Sequence, residues 1–221
     1  MNVPGPPSEP DRTRARQLAN ESFERGDPTG WFERLYQESE QGTAVLPWAE
    51  LRPNPNLVSW SRPDLTGKTA LVSGCGLGDD AELLAEWGAL VTAFDVAPTA
   101  IAVARRRFPT SKVDYQTADL LNPPTIWTRR FDFVFEAYTL QALPADVRPM
   151  AIRAVGGFVA PSGQLLVVAR GRDEGDPAGD MPWPLTRDEL GEFERLGMLE
   201  SAWEDYFEGT IRRFRVLYRR P

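Results

Sequence analysis

A chain of 221 residues with no histidine, one cysteine and a formal net charge of −7 is constrained before any motif is read. The negative charge argues against a general DNA or RNA binder. Without histidine, Ser-His and Cys-His triads and His-ligated metal sites are excluded, and one cysteine builds neither an internal disulfide nor a thiolate metal site. Proton transfer must then use carboxylates, Tyr, Lys, Arg or water. The length suits one α/β domain with a large core plus some extra helix. The lone thiol, the absence of a basic-plus-apolar leader and the absence of an apolar run of membrane length predict a soluble cytoplasmic protein, with no membrane, nucleic-acid or metal partner.

In chain order, residues 1–10 are proline-rich and read as a disordered tail. Residues 11–62 read as an N-terminal helical lid or cap. Asp11 to Arg25 has sparse apolar positions (Leu18, Ala19, Phe23) that predict a short amphipathic helix, and Gly26-Asp27-Pro28-Thr29-Gly30 breaks it. A second helix begins at Trp31-Phe32-Glu33-Arg34-Leu35-Tyr36, with Trp31 and Leu35 on one face. Core packing alone accounts for these aromatics; a lid closing over a ligand is the alternative. Pro47-Trp48 to Leu57 is too punctuated by proline for a regular helix and reads as a covering loop. Leu57 to Trp60 reads as a helical turn, and Pro63 to Gly67 turns into the first strand.

Residues 63–221 read as the main domain, and its opening unit is the organising stretch. Lys68 to Val72 is a buried strand, Gly74-Cys75-Gly76-Leu77-Gly78 a glycine-rich turn, and Asp79 to Trp87 a helix. Glycine permits both the sharp reversal and close backbone approach to a ligand. A dinucleotide fingerprint would place glycine where Asp79 stands; carboxylates at a helix start repel a phosphate. A ligand without phosphate is therefore favoured, and S-adenosylmethionine fits. Ala89 to Asp95 is the second strand, and Asp95 stands where an acid can accept hydrogen bonds from both ribose hydroxyls. The next helix runs from Ala97 to Phe108, with Pro98 in its first turn and Arg105, Arg106 and Arg107 complementing its C-terminus.

Val113 to Thr117 is the third strand, followed by Ala118-Asp119-Leu120, where Asp119 could reach an adenine amino group. Asn122-Pro123-Pro124 reads as a turn. Phe131 to Phe135 is the fourth strand, with Glu136 and Tyr138 on its exit loop. A helix over Val147–Val159 leads to a fifth strand over Gly163–Ala169. Arg170 to Pro184 is a loop whose Arg170 and Arg172 could attract an anionic acceptor, although an exposed loop face explains them equally. Thr186 reads as an N-cap. Two final strands, around Leu199–Phe207 and Arg213–Arg219, have no helix between them and predict an antiparallel edge.

With these residues in place, Thr66 to Arg219 resembles the class I S-adenosylmethionine-dependent methyltransferases, through Gly74-Cys75-Gly76-Leu77-Gly78-Asp79, Asp95, Ala118-Asp119-Leu120 and the loop from Glu136. Trp31 to Tyr36, Pro47-Trp48 and Met181-Pro182-Trp183-Pro184-Leu185-Thr186 are similar to the thiopurine and thiol/halide branch, except that Leu35 stands where a second tryptophan is common. The resemblance implies an α/β, Rossmann-like, doubly wound seven-stranded sheet, mostly parallel with an antiparallel edge strand, under an N-terminal helical lid. It implies S-adenosylmethionine as cofactor, S-adenosylhomocysteine as product, and a small-molecule acceptor. Gly74, Cys75, Gly76 and Gly78 would admit the methionine part, Asp95 with Val96 the ribose, and Asp119 with Leu120 the adenine. Glu136 would lie near the methionyl end, and Trp31 and Trp48 near the lid.

Methyl transfer from a sulfonium is an in-line displacement that rests on positioning, and a thiolate or halide needs little base assistance. A histidine-free chain suits such an acceptor, with Tyr138 or Glu136 as candidate catalytic groups and Tyr138, Arg170 and Arg172 as candidate acceptor contacts. Methylation of O or N on a small aromatic metabolite, a nucleotide-dependent oxidoreductase of the same fold, and a binding module without turnover stay open. The protein is expected as a monomer or homodimer.

Overall fold

The computed structural model describes residues 9–61 and 63–221. The expected tail falls largely on residues 1–8, outside the described residues, as does the boundary at Arg62. Glu9 and Pro10, assigned to that tail, instead open the first helix, α1 (Glu9–Phe23). A proline is tolerated in a first helical turn because its missing N–H has no partner there in any case. Helix α2 (Gly30–Glu40) follows, and α3 (Pro55–Val58) is a single turn capped by Asn54, whose side chain accepts from the Asn56 N–H.

The main domain alternates strand and helix. β1 (Thr69–Ser73), α4 (Asp79–Glu86), β2 (Leu90–Asp95), α5 (Pro98–Arg107), β3 (Asp114–Thr117), β4 (Phe131–Ala137), α6 (Arg148–Phe158) and β5 (Val159–Arg170) come first. Then come α7 (Arg187–Arg195) and the β6 (Leu199–Glu208)–β7 (Ile211–Arg219) hairpin. The seven strands form one sheet in the order β3-β2-β1-β4-β5-β7-β6. The first five run parallel, and β7 is inserted antiparallel between β5 and the outermost strand β6. The antiparallel strand therefore lies one place inside the edge, because a hairpin after α7 can return beside β5.

Parallel strands must be covered on both faces, and the sequence supplies apolar residues on both. Leu71, Phe94, Val134, Leu165 and Val167 meet Ile152, Val155 and Phe158 of α6 on one face. Val72, Ala93, Phe133, Phe135, Leu166 and Val168 meet α4 and α5 on the other, where Trp60 stacks on Phe133 at 5.7 Å between ring centroids. A third cluster joins Leu18, Trp31, Leu35 and Tyr36 of α1 and α2 to Ala97, Ala100 and Met181 at the carboxyl end of the sheet. Burying each large side chain contributes roughly 1.5–3 kcal/mol.

β5 starts earlier than its apolar run suggests, running on directly from α6. Ser162 has a left-handed φ of 63°, and a Cβ on Gly163 would lie 2.9 Å from the carbonyls of Ala160 and Phe131. The register shift between Phe131 and Phe133 absorbs the extra residues. Thr186 caps α7 as expected, in a full capping box: its hydroxyl accepts from the Glu189 N–H at 3.1 Å, and Glu189 accepts from the Thr186 N–H at 2.9 Å. We expect Thr186→Ala to lower stability by about 1 kcal/mol in urea denaturation, with Thr186→Ser restoring most of the loss.

Candidate functional site

The site is built where the parallel strands end. β1 and β2 deliver Ser73 and Asp95 to the same edge, and the glycine turn bridges them. Gly74, Gly76 and Gly78 all adopt left-handed φ, at 63°, 53° and 94°. Space is as restrictive as backbone angle. A Cβ on Gly74 would sit 2.2 Å from Thr139 Oγ1, and one on Gly78 would sit 2.4 Å from the Tyr115 hydroxyl. At Gly76 the nearest atom would be the Tyr36 hydroxyl, at 3.2 Å.

Asp95 holds this turn. Its Oδ2 accepts from the Gly76 N–H and its Oδ1 from the Ala97 N–H, both at 3.0 Å, while the Cys75 N–H donates to the Phe94 carbonyl at 2.8 Å. Burial pushes the Asp95 carboxyl up to about 6, against the lowering effect of those N–H donors. Each carboxylate oxygen has a second lone pair, so both can still accept from a ligand hydroxyl. Val96 is half-buried between these anchors, and Cys75 is buried with its thiol pushed well up by desolvation.

Asp119 and Leu120 lie at the adjoining edge. The Ala118 N–H donates to the Asp95 carbonyl at 3.0 Å, and Asp119 Oδ1 accepts from the Leu121 N–H at 2.8 Å. Leu120 packs into the core with Phe94 and Trp127, so its side chain serves the fold.

Asp79 plays a different part from the one assigned on sequence. Arg107 clamps it bidentately at 2.6 and 2.7 Å and also donates to the Leu77 carbonyl at 2.6 Å. Its charge is offset, so repulsion of phosphate by Asp79 loses much of its force. Asp80 keeps a role in the cover: it accepts from the Asn54 N–H at 2.6 Å, tying the proline-punctuated segment to α4.

Over the turn lies the aromatic cluster. Trp31 is 1% exposed and stacks on Phe32 at 3.9 Å, while Trp48 meets Trp31 edge-on at 6.0 Å and donates through Nε1 to the Tyr36 hydroxyl at 3.1 Å. The two readings of these aromatics merge, since they are packed as a core and that core stands on the glycine turn. Glu33 fastens α2 to the start of α5, accepting from Thr99 N–H and Oγ1–H at 3.0 and 2.6 Å.

Glu136 is fully buried at the end of β4. Its Oε1 accepts from the Thr139 and Leu140 N–H groups at 2.8 and 3.0 Å, its Oε2 has no partner, and burial pushes the carboxyl up to about 7. Ser73, its register partner on β1, has an unpartnered hydroxyl. Trp31 Nε1 and Arg170 Nε complete the buried, unpartnered side-chain polar atoms among the described residues. All four lie at the carboxyl end of the sheet or under the helices covering it. Buried polar groups are paired in folded proteins as a rule, so this concentration fits a polar ligand seated there.

Tyr138 has a left-handed φ of 66°; its hydroxyl accepts from Asn56 Nδ2 at 3.0 Å, and burial pushes the phenol up to about 12. Arg170 donates through Nη1 to the Pro182 carbonyl at 3.1 Å. Arg172 is committed to its own loop, donating to the Pro184 and Asp176 carbonyls at 3.0 Å each and meeting Glu189 at 3.4 Å. It acts as a strut for residues 173–185 and is not brought together with the others. Asn56 and Thr139 join the site without having been marked in sequence, and Tyr36, one of the aromatics read as a possible lid, stands directly over Gly76. Only a polar residue at a proline-rich turn hinted at Asn56.

Residues 70–163 match the model of a methyltransferase domain family. A 2-heptyl-1-hydroxyquinolin-4(1H)-one methyltransferase from Mycobacteroides abscessus is 27% identical over 166 residues, 73% of each chain. A probable thiol methyltransferase 2 from Arabidopsis thaliana is 25% identical over 175 residues, 75% of each chain. Among solved structures, magnesium protoporphyrin IX methyltransferase from Synechocystis, with S-adenosylmethionine bound, superposes with a TM-score of 0.59 over 72% of each chain at 16% identity, a likeness of fold. No helix among the described residues is long and apolar enough to cross a membrane.

The Glu136 carboxyl titrates higher in the fold than in the unfolded chain, so the native state holds the extra proton, and stability falls as pH rises through about 7. The isosteric amide has no such proton. We expect Glu136→Gln and the parent to have similar melting temperatures at pH 4.5 and to diverge as pH rises. The variant should gain on the order of 2 kcal/mol over the parent by pH 8. Parallel curves would show that Glu136 is ionised at no unusual cost.

Proposed function

This chain is a class I S-adenosylmethionine-dependent methyltransferase, and we propose that it methylates a small-molecule thiol, or a halide, by in-line displacement. The cofactor, when bound, supplies an electrophilic methyl group on a sulfonium. A nucleotide-dependent oxidoreductase drops out with the methyltransferase domain. Residues 63–221 then form the cofactor domain and residues 11–62 its cover.

Gly74, Cys75, Gly76 and Gly78 would line the methionine part, Asp95 with Val96 the ribose, and Asp119 and Leu120, the latter through its backbone, the adenine. Trp31 and Trp48 would close over it. The residues present suit such a guest: Asp95 retains accepting lone pairs, the glycines leave no side chains in the cradle, and Glu136 Oε2 and Ser73 Oγ await partners.

The observation that carries the sulfur reading is the state of the candidate bases. The chain has no histidine, and the Tyr138 phenol is pushed up to about 12 and already engaged by Asn56. A phenol held that high does not accept a proton near neutral pH. An acceptor already ionised or soft needs only to be held in line, and positioning alone is worth roughly 7–11 kcal/mol of barrier. The thiol methyltransferase relative supports the same reading. A second reading, O- or N-methylation of a small aromatic, is favoured by Glu136, whose carboxyl near 7 suits a general base, and by the hydroxyquinolinone relative. The free buried thiol of Cys75 suits a reducing cytoplasm.

Calorimetric titration should show saturable binding of S-adenosylmethionine and S-adenosylhomocysteine, abolished in Asp95→Ala; undiminished affinity in that variant would remove the ribose assignment. A screen of thiols, halides and phenols should then give turnover on a thiol or halide whose kcat, at saturating S-adenosylmethionine, Glu136→Gln leaves within about threefold, as expected where no base is needed. Turnover confined to phenols or amines, and lost in Glu136→Gln, would select the second reading.

A further inference from the structure

Arg170 closes β5 and faces Arg213 of β7 directly across the antiparallel ladder, the two being register partners. Side chains at such positions share one face of the sheet and come within reach of each other. Like charges so placed repel and destabilise the pair unless other groups offset them. Arg213 has one carboxylate partner, Glu208, at 2.9 Å, and its guanidinium lies over the Tyr138 ring at 4.9 Å from the centroid. Arg170 is half-buried, has no carboxylate partner among the described residues, and leaves its Nε buried without an acceptor among them. Desolvation lowers its pKa, and repulsion from Arg213, Arg12 and Arg16 adds to that.

The position of the pair matters as much as its charge. Arg170 sits beside the cover, donating to Pro182, while Arg16 of α1 donates to the neighbouring Met181 carbonyl at 3.0 Å. Gln141, on the exit loop of β4, accepts from the Arg170 N–H at 2.7 Å and fixes this strand end against the Glu136–Tyr138 segment. On the same strands and loop, Arg172 braces its own loop and Arg215 is paired with Glu204. Two arginines at register-partner positions, one with an unused buried donor, suit a planar oxyanion, since a guanidinium can donate two parallel N–H bonds where an ammonium would offer only a point charge.

We propose that the methyl acceptor carries a carboxylate or similar planar oxyanion in addition to its nucleophilic atom, and that Arg170 and Arg213 hold it. This rests on the small-molecule methyltransferase reading above and narrows it. The oxyanion end would anchor the acceptor at the β5–β7 side of the site, leaving its nucleophile free to face the Glu136 side.

The test separates anion recognition from turnover. Protein saturated with S-adenosylhomocysteine is titrated with benzoate and with benzamide, its neutral isostere. Wild type should bind benzoate at least about tenfold more tightly than benzamide. Arg170→Gln and Arg213→Gln should each bring benzoate down to the benzamide level while keeping S-adenosylhomocysteine affinity within twofold, which certifies the fold. Arg170→Lys, which keeps the charge and loses the fork, should fall between. Equal binding of the two probes by wild type, or benzoate affinity unmoved by Arg170→Gln, would overturn the proposal. Turnover of 2-mercaptobenzoate and thiophenol then separates the two ideas. Equal KM for both overturns the oxyanion site and leaves the thiol reading standing. Arginine-dependent benzoate binding, with neither thiol methylated, upholds the oxyanion site and overturns the thiol reading.

Discussion

The geometry of this protein's carboxyl edge depends on one buried carboxylate. Asp95 ends β2 and reaches in two directions, to the Gly76 N–H and to the Ala97 N–H, at 3.0 Å each. The first contact sets the height of the glycine turn above the sheet, and the second sets where α5 begins. A carboxylate sequestered from water is costly unless hydrogen-bonded. Here burial and the two N–H donors pull its protonation in opposite directions, and burial prevails. A ligand bringing hydroxyl donors to the remaining lone pairs would favour the charged form and would complete this hydrogen-bond set.

The cover is fastened to that edge by short polar links that leave the aromatic contacts to fill space. Glu33 joins α2 to α5, Trp48 joins the loop to Tyr36, and Asp80 joins Asn54 to α4. Asn56 draws in a distant element: it is buried, donates to Tyr138, accepts from the Tyr206 hydroxyl of β6, and its carbonyl accepts from Arg215 of β7 at 2.8 Å. The late hairpin, which looks like a decoration of the sheet edge, therefore helps hold the covering segment over the strand ends. Tyr138 is held in a left-handed conformation at the meeting point of these links, a backbone state that persists only where its surroundings enforce it.

Local patterns carried the fold well. Apolar runs, glycine spacing and the Thr186-x-x-Glu189 box each have a cause within a few residues, and the parallel sheet with its crossovers follows from their alternation. The signal failed where the cause was distant. Nothing near Gly74 announces Thr139, although a Cβ there would strike its hydroxyl. Nothing near Asp79 announces Arg107, 28 residues on, which offsets its charge and weakens the phosphate-repulsion reasoning drawn from it. Arg170 and Arg172 looked alike as loop arginines two residues apart. Strand alternation and loop pairing separated them: one ends a strand facing Arg213, and the other braces its own loop.

The charges around the edge are unevenly distributed, and the distribution bears on why so little acid–base equipment suffices. Carboxylates gather on the β1–β2–β4 side, as Asp95 and Glu136; guanidinia gather on the β5–β7 side, as Arg170 and Arg213. A sulfonium donor is a cation with a cationic amino group, and it is suited to the first side. An anionic acceptor, on the reading proposed here, is suited to the second. Transfer of a methyl group from a cation to an anionic nucleophile cancels charge, and charge cancellation is favoured as the surroundings become less polar. On that reading a covered, largely apolar site would hold the two reactants at their ends remote from the reaction, the donor beside Asp95 and Glu136 and the acceptor at the arginine pair, and the methyl group would move between them in less polar surroundings. That division of labour needs no histidine. The same reading would give Glu136 Oε2, Ser73 Oγ and Arg170 Nε a common role, each meeting the end of a ligand.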